Sequence, residues 1–165
     1  MTESSNKQDI SVFPFHGCSM LPFIQPGSSI HLETGPSVIY KRGDIICFIQ
    51  NTTSLFAHRL VSFTYRNGIL HVVEKGDNIY GFSLIRYDKL IGKASRIEQN
   101  NTIIDLSSPY WRTINYLLAL LASLQVTLLK IFPYSYHFDS PIKKIPHYPL
   151  KLLFKIITKI SLYLK

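Results

Sequence analysis

Residues 55–75 read LFAHRLVSFTYRNGILHVVEK: two β-rich runs, Leu55 to Tyr65 and Ile69 to Lys75, separated by Arg66-Asn67-Gly68. Asn-Gly between such runs is the strongest short-range hairpin signal, because both residues tolerate the positive φ that a tight, strand-matched turn demands. The stretch commits the chain to antiparallel β structure. Working toward the N-terminus, Lys41-Arg42-Gly43-Asp44 is a tight polar turn that leads into Ile45-Ile46-Cys47-Phe48-Ile49, a continuous apolar run of the kind buried on both faces. Ser28 to Glu33 alternates as a strand after the Pro26-Gly27 turn, and Ile10 to Phe15 reads as a first short strand behind a polar, disordered lead-in at 1–9.

Toward the C-terminus, Lys75-Gly76-Asp77-Asn78 is a glycine-aspartate turn, and a second hairpin around Asn100-Asn101 joins Leu90 to Glu98 with Thr102 to Leu106. Residues 10–108 are thus expected to form a mainly β, coiled antiparallel domain of short strands, and 109–165 a helical appendage. Composition changes at Ser108-Pro109, either of which can start a helix. From Thr113 to Leu129 run seventeen residues without a charge, but they include Asn115, Ser123, Gln125 and Thr127. As a helix they reach about 25 Å, short of the roughly 30 Å hydrocarbon core, which favours a buried or in-plane helix over a membrane span. A proline-punctuated linker, Pro133 to Pro149, precedes Leu150 to Lys165, an amphipathic helix. Its Lys151, Lys155, Thr158, Lys159 and Lys165 fall on one side and its Leu153, Ile156, Ile157, Ile160 and Leu164 on the other. Two placements stay open: on an anionic membrane surface, or packed on the domain with the lysines in water.

With 165 residues and 46% hydrophobic composition the chain is long and apolar enough for one core. Its formal charge of +8 is unevenly placed: residues 109–165 hold eight Lys and Arg against one acid. Those basic residues sit among apolar helical positions without base-stacking aromatics between them, which argues against nucleic-acid binding. Two cysteines, Cys18 and Cys47, make neither a disulfide framework nor a metal cluster, and no cofactor motif is present. The N-terminus lacks a basic run followed by an apolar stretch, so neither signal peptide nor N-terminal anchor is expected.

Chemistry is concentrated around Gly17-Cys18-Ser19-Met20-Leu21-Pro22, where a serine lies between a permissive glycine and a proline that fixes the chain again. Serine needs a base within hydrogen-bond reach and donors for the oxyanion formed on attack. His58, within Phe56-Ala57-His58-Arg59-Leu60, can be placed across a sheet from that turn. His16, His31, His71, His137 and His147 have no comparable context.

These stretches, together with Arg42-Gly43-Asp44-Ile45-Ile46-Cys47-Phe48, Glu74-Lys75-Gly76-Asp77-Asn78 and Leu90-Ile91-Gly92-Lys93-Ala94, occur in the order and rough spacing of the type I signal peptidases. The chain resembles most closely their archaeal and endoplasmic-reticulum branch, which uses a histidine base; the self-cleaving repressors share that catalytic fold. The likeness covers about half the chain. It implies Ser19 as nucleophile, His58 as general base, the Ser19 N–H as oxyanion donor, and a peptide bond in an extended segment, after small side chains, as substrate. Three departures accompany it. Ile79 to Ser83 lacks the acid that the branch places there to orient the histidine, which leaves Asp77 as the nearest candidate. Gly17 offers no assisting hydroxyl, and an N-terminal membrane helix is missing. The resemblance implies a serine endopeptidase acting on a signal peptide or, given the missing anchor, on the leader of a small cytoplasmic peptide. The lack of an export signal and the basic tail, unlike the resemblance, lead to the expectation of a membrane-associated protein at the cytoplasmic face. The alternative is an inactive peptide- or membrane-binding module on the same fold.

Overall fold

The computed structural model describes residues 10–49, 55–131 and 148–163. The expected lead-in at 1–9 and the expected linker as far as residue 147 lie outside them. Among the described residues, eight strands form one antiparallel sheet: β1 (Ile10–Phe15), β2 (Ser28–Thr34), β3 (Ile45–Ile49), β4 (Leu55–Arg66), β5 (Ile69–Lys75), β6 (Ser83–Arg86), β7 (Leu90–Gln99) and β8 (Thr102–Asp105). Their spatial order is β1-β2-β7-β3-β4-β5-β6, with β8 also paired to β7. The Asn67-Gly68 hairpin forms with φ of 52° and 74°, and the second hairpin turns at Asn100 and Asn101 with φ of 48° and 58°. β6, a four-residue strand, was not expected from its sequence.

The sheet coils because its ladders are interrupted. Register shifts fall between His31 and Leu32 against β7, between Cys47 and Phe48, and between Leu60 and Ser62 against β5. Each extra residue bends its strand and steepens the twist. β4 is thereby shared, pairing β3 through Leu55 to Arg59 and β5 through Arg59 to Arg66. β3 carries the continuous apolar run because both its faces are covered: Ile45 and Cys47 join a core with Phe23, Ile30 and Trp111, while Ile46 and Phe48 join one with Leu60 and Val72.

Two helices follow, α1 (Pro109–Ile131) and α2 (Tyr148–Tyr163). Ser108 starts α1: its carbonyl accepts from Arg112 N–H at 2.9 Å, and Pro109 takes the first helical position, where a missing N–H costs nothing. α1 buries one stripe, including Trp111, Asn115, Leu118, Ala122, Val126 and Leu129. Its Ala122 and Val126 meet Val61 of β4 and Val73 of β5. By length and hydropathy α1 could cross a membrane, but a third of its most apolar window is buried, along that stripe. Gly43 lets α1 pass close to the turn before β3, since its φ is +98° and an added Cβ would stand 2.9 Å from the Asn115 backbone.

α2 packs on the domain, though not in the way its pattern suggests. Its inward residues are Phe154, Thr158 and Ser161, all buried, while Leu152, Leu153, Ile156 and Ile160 of the apolar face are exposed. The two hydroxyls can be buried because each donates to a carbonyl of its own helix, Thr158 to Phe154 O at 2.9 Å and Ser161 to Ile157 O at 2.8 Å. The Tyr110 hydroxyl of α1 donates to Ser161 O at 2.9 Å, and Leu129 of α1 lies with Lys151 of α2 at the other end, so the helices run antiparallel.

Candidate active site

Ser19 sits in the turn after β1, held from below and from the side. Met20, Phe23 and Ile24 are wholly buried and anchor the turn, whose N–H groups of Phe23 and Ile24 both donate to Met20 O at 2.9 and 3.0 Å. From the Gly76-Asp77-Asn78 turn, the Asn78 N–H donates to Ser19 O at 2.7 Å and its side-chain amide donates to Cys18 O at 3.1 Å. An added Cβ on Gly76 would stand 2.9 Å from Ser19 O and 3.1 Å from His58 Nε2, so only glycine lets the two turns close on each other. The Ser19 N–H has no hydrogen-bond partner among the described residues.

The structure brings Ser19 and His58 together across thirty-nine residues of chain: Ser19 Oγ lies 3.0 Å from His58 Nε2. His58 is on β4, opposite Ile46, and its ring packs edge-on to Phe48 at 5.8 Å between centroids. Its other nitrogen, Nδ1, lies 2.5 Å from Glu74 Oε2 on β5. Both partners are nearly inaccessible, with side-chain exposures of 8% and 2%, whereas Ser19 is half-buried. Nδ1–H donating to a buried carboxylate fixes the tautomer in which Nε2 is free to accept the serine proton.

Glu74 therefore occupies the orienting position for which Asp77 was the candidate. Asp77 is fully engaged elsewhere: Arg59 Nε donates to its Oδ1 at 2.9 Å and Nη2 to its Oδ2 at 2.7 Å, both side chains being 1% exposed or less. Arg59 Nη1 also donates to Gly43 O at 3.2 Å and to Asn115 Oδ1 at 2.7 Å. Phe23 and Phe154 flank the guanidinium at 5.2 and 5.9 Å. Asp77 is thus a brace under the turn that carries Asn78. Sequence reasoning missed Glu74 although it stands inside a quoted motif, because no acid follows the turn and Asp77 is nearer in the motif.

Around this centre, burial pulls the Lys75 ammonium down to about 8, partly opposed by Asp77, and it donates to Gly76 O at 3.0 Å and Ile79 O at 2.6 Å. Lys151 of α2 donates to Asn78 O at 3.2 Å and lies 4.3 Å from the Tyr80 ring centre. The remaining described histidines stand apart: His16 is exposed, His31 faces Glu98 at 2.9 Å, and His71 Nδ1 lies 2.9 Å from Ile69 O. His137 and His147 lie outside the described residues. Among the described residues no group of three or more His, Cys, Asp and Glu could hold a metal ion. A cleft of about 340 Å³ lies between the β3 entry turn and the start of α1, lined by Lys41, Asp44, Lys93 and Arg112 among others, and includes none of Ser19, His58 and Glu74.

Set against protein-family models and against curated proteins, the chain matches none of them.

Proposed function

We propose that the protein is a serine endopeptidase of the signal-peptidase type, with Ser19 as nucleophile, His58 as general base and Glu74 as the residue that positions His58. The observation that carries this reading is the run of contacts from Ser19 Oγ through the His58 ring to Glu74, at 3.0 and 2.5 Å. Its strength lies in geometry rather than in residue types: the nucleophile–base distance falls in the range that proton transfer requires, and the base is in turn hydrogen-bonded to a carboxylate that can hold its orientation.

In the reaction, the Ser19 hydroxyl proton passes to His58 Nε2 as Oγ attacks the scissile carbonyl carbon, and the carbonyl π pair moves onto oxygen. The Ser19 N–H, unpartnered among the described residues, donates to that oxyanion. Collapse of the tetrahedral species breaks the C–N bond, and the proton on Nε2 goes to the leaving amine. Water then repeats the sequence on the acyl-serine, His58 accepting its proton and returning it to Oγ.

The substrate class fits the surroundings of the turn. β1 is an outer strand of the sheet, paired among the described residues with β2 alone, and the chain from His16 to Cys18 that links it to Ser19 is exposed. An extended peptide adding to this edge would run along the backbone into Ser19. Of the two departures that favour an inactive module, the absent acid has a counterpart in Glu74, while Gly17 still offers no assisting hydroxyl.

The test is incubation of the full chain with a randomised peptide library, reading new N-termini by mass spectrometry. Cleavage is expected from the unaltered protein and lost in Ser19→Ala and in His58→Ala with circular dichroism unchanged. Equal cleavage by Ser19→Ala, or no cleavage together with a Ser19 that a fluorophosphonate never labels, overturns the reading.

A further inference from the structure

The outward faces of the two helices are exposed and apolar. α2 turns Leu152, Leu153, Ile156 and Ile160 to solvent at 43–51% exposure, and α1 does the same with Leu117, Leu120 and Leu124 at 38–47%. Placed at helical spacing, these residues lie opposite the stripes through which each helix packs on the domain, and the helices run side by side. An exposed apolar surface of this kind points to a binding surface.

We infer that this helical layer docks in the plane of an anionic lipid bilayer, with the leucines and isoleucines entering the acyl boundary and Lys155 and Lys159 meeting the headgroups. Charge selects the occupant. Neither helix contains an acid, both lysines are exposed beside the apolar stripe of α2, and residues 109–165 carry eight basic groups against one acidic. A second copy would bring like charge against like charge, whereas anionic headgroups complement it. Tyr110, Tyr116 and Tyr163 are also exposed, at 40%, 49% and 87%, an amphipathic residue type that settles at the lipid–water boundary. In-plane docking rather than crossing follows from α1, whose other face carries Asn115 and Gln125 against the domain.

The experiment is sedimentation of the full chain with phosphatidylglycerol-containing vesicles and with phosphatidylcholine vesicles, which is independent of peptidase activity. Binding to the anionic vesicles is expected to be at least about tenfold tighter, at about 1 kcal/mol for each engaged lysine. Lys155→Glu with Lys159→Glu should remove that preference, and Leu152→Gln with Ile156→Gln should abolish binding, all without change in circular dichroism. Equal binding to both vesicles, no binding to either, or binding that survives both pairs of substitutions overturns the inference. So does a dimer in the absence of lipid that Leu152→Gln with Ile156→Gln dissolves, which would assign the surface to a second copy. Retention on the vesicles through high salt and alkaline washing would assign it to a membrane span instead.

Discussion

Two carboxylates three residues apart, Glu74 and Asp77, do different jobs because each faces a different cation or ring. Glu74 accepts from His58 Nδ1 and Asp77 is saturated by Arg59. Glu74→Gln keeps the shape but offers an amide where a charge stabilised the imidazolium, so kcat should fall by about 10³–10⁴-fold with KM little changed. A strongly deshielded His58 Nδ1–H proton resonance is expected in the unaltered protein, and its concurrent loss would mark positioning rather than folding as the cause. Asp77→Asn should act the other way round. It strands the buried Arg59 charge, costing about 3–5 kcal/mol in urea unfolding before any effect on chemistry. Lys75 supplies a pH signature. Its folded pKa of about 8 lies below the ordinary 10.5, so above pH 8 the unfolded chain binds more protons and stability rises with pH. Near pH 9 the buried Cys47 thiol, whose pKa burial pushes up, begins to oppose it. The urea midpoint is therefore expected to climb between pH 8 and 9, and a flat response in Lys75→Met would assign the climb to this ammonium.

At the scale of elements, the interruption at Val61 decides which acid reaches His58. Counting back from the Asn67-Gly68 turn without a bulge pairs His58 with Asp77 and sends Glu74 to the opposite face. The observed shift between Leu60 and Ser62 pairs Leu60 with Glu74 instead, which puts Glu74 on the His58 face. Strands β1 to β5, β7, β8 and both helices were legible because alternation, Asn-Gly turns and unbroken apolar runs are local signals. Ser19 and His58 stood out only through their place in an ordered run of short motifs, and the structure sets them 3.0 Å apart. The bulge was not, since Val61 is apolar like its neighbours and its burial against Ala122 and Val126 depends on a helix some sixty residues on. Gly76 is the complementary element-level constraint, the point where two turns meet beside Ser19 and His58. Gly76→Ala should leave the sheet and its circular dichroism intact while lowering library cleavage by about 10²-fold, since a displacement of about 1 Å between nucleophile and base is enough for that.

At the scale of the whole molecule, α2 has two faces with separable consequences. Inward, Phe154 is 1% exposed and flanks the Arg59 guanidinium that braces Asp77, while Lys151 holds the carbonyl of Asn78, whose own N–H holds Ser19. Outward, Ile156 is 44% exposed and contributes little to the core. The pattern of α2 in sequence could not separate these roles, because Thr158 and Ser161 look like solvent-facing residues until their back-bonding to the helix is known. Phe154→Ala empties a large buried site and should cost about 3–5 kcal/mol of unfolding free energy. It should also slow peptide cleavage in the fraction that remains folded, because the brace beneath the Asn78 turn loosens with it. Ile156→Gln should change neither the unfolding midpoint nor cleavage of a soluble peptide library, since it touches neither the core nor the brace. Measuring both variants by urea unfolding and by library cleavage tests the division directly. If Ile156→Gln were as destabilising as Phe154→Ala, the apolar face of α2 would belong to the core and the inward role of the hydroxyl face would be wrong.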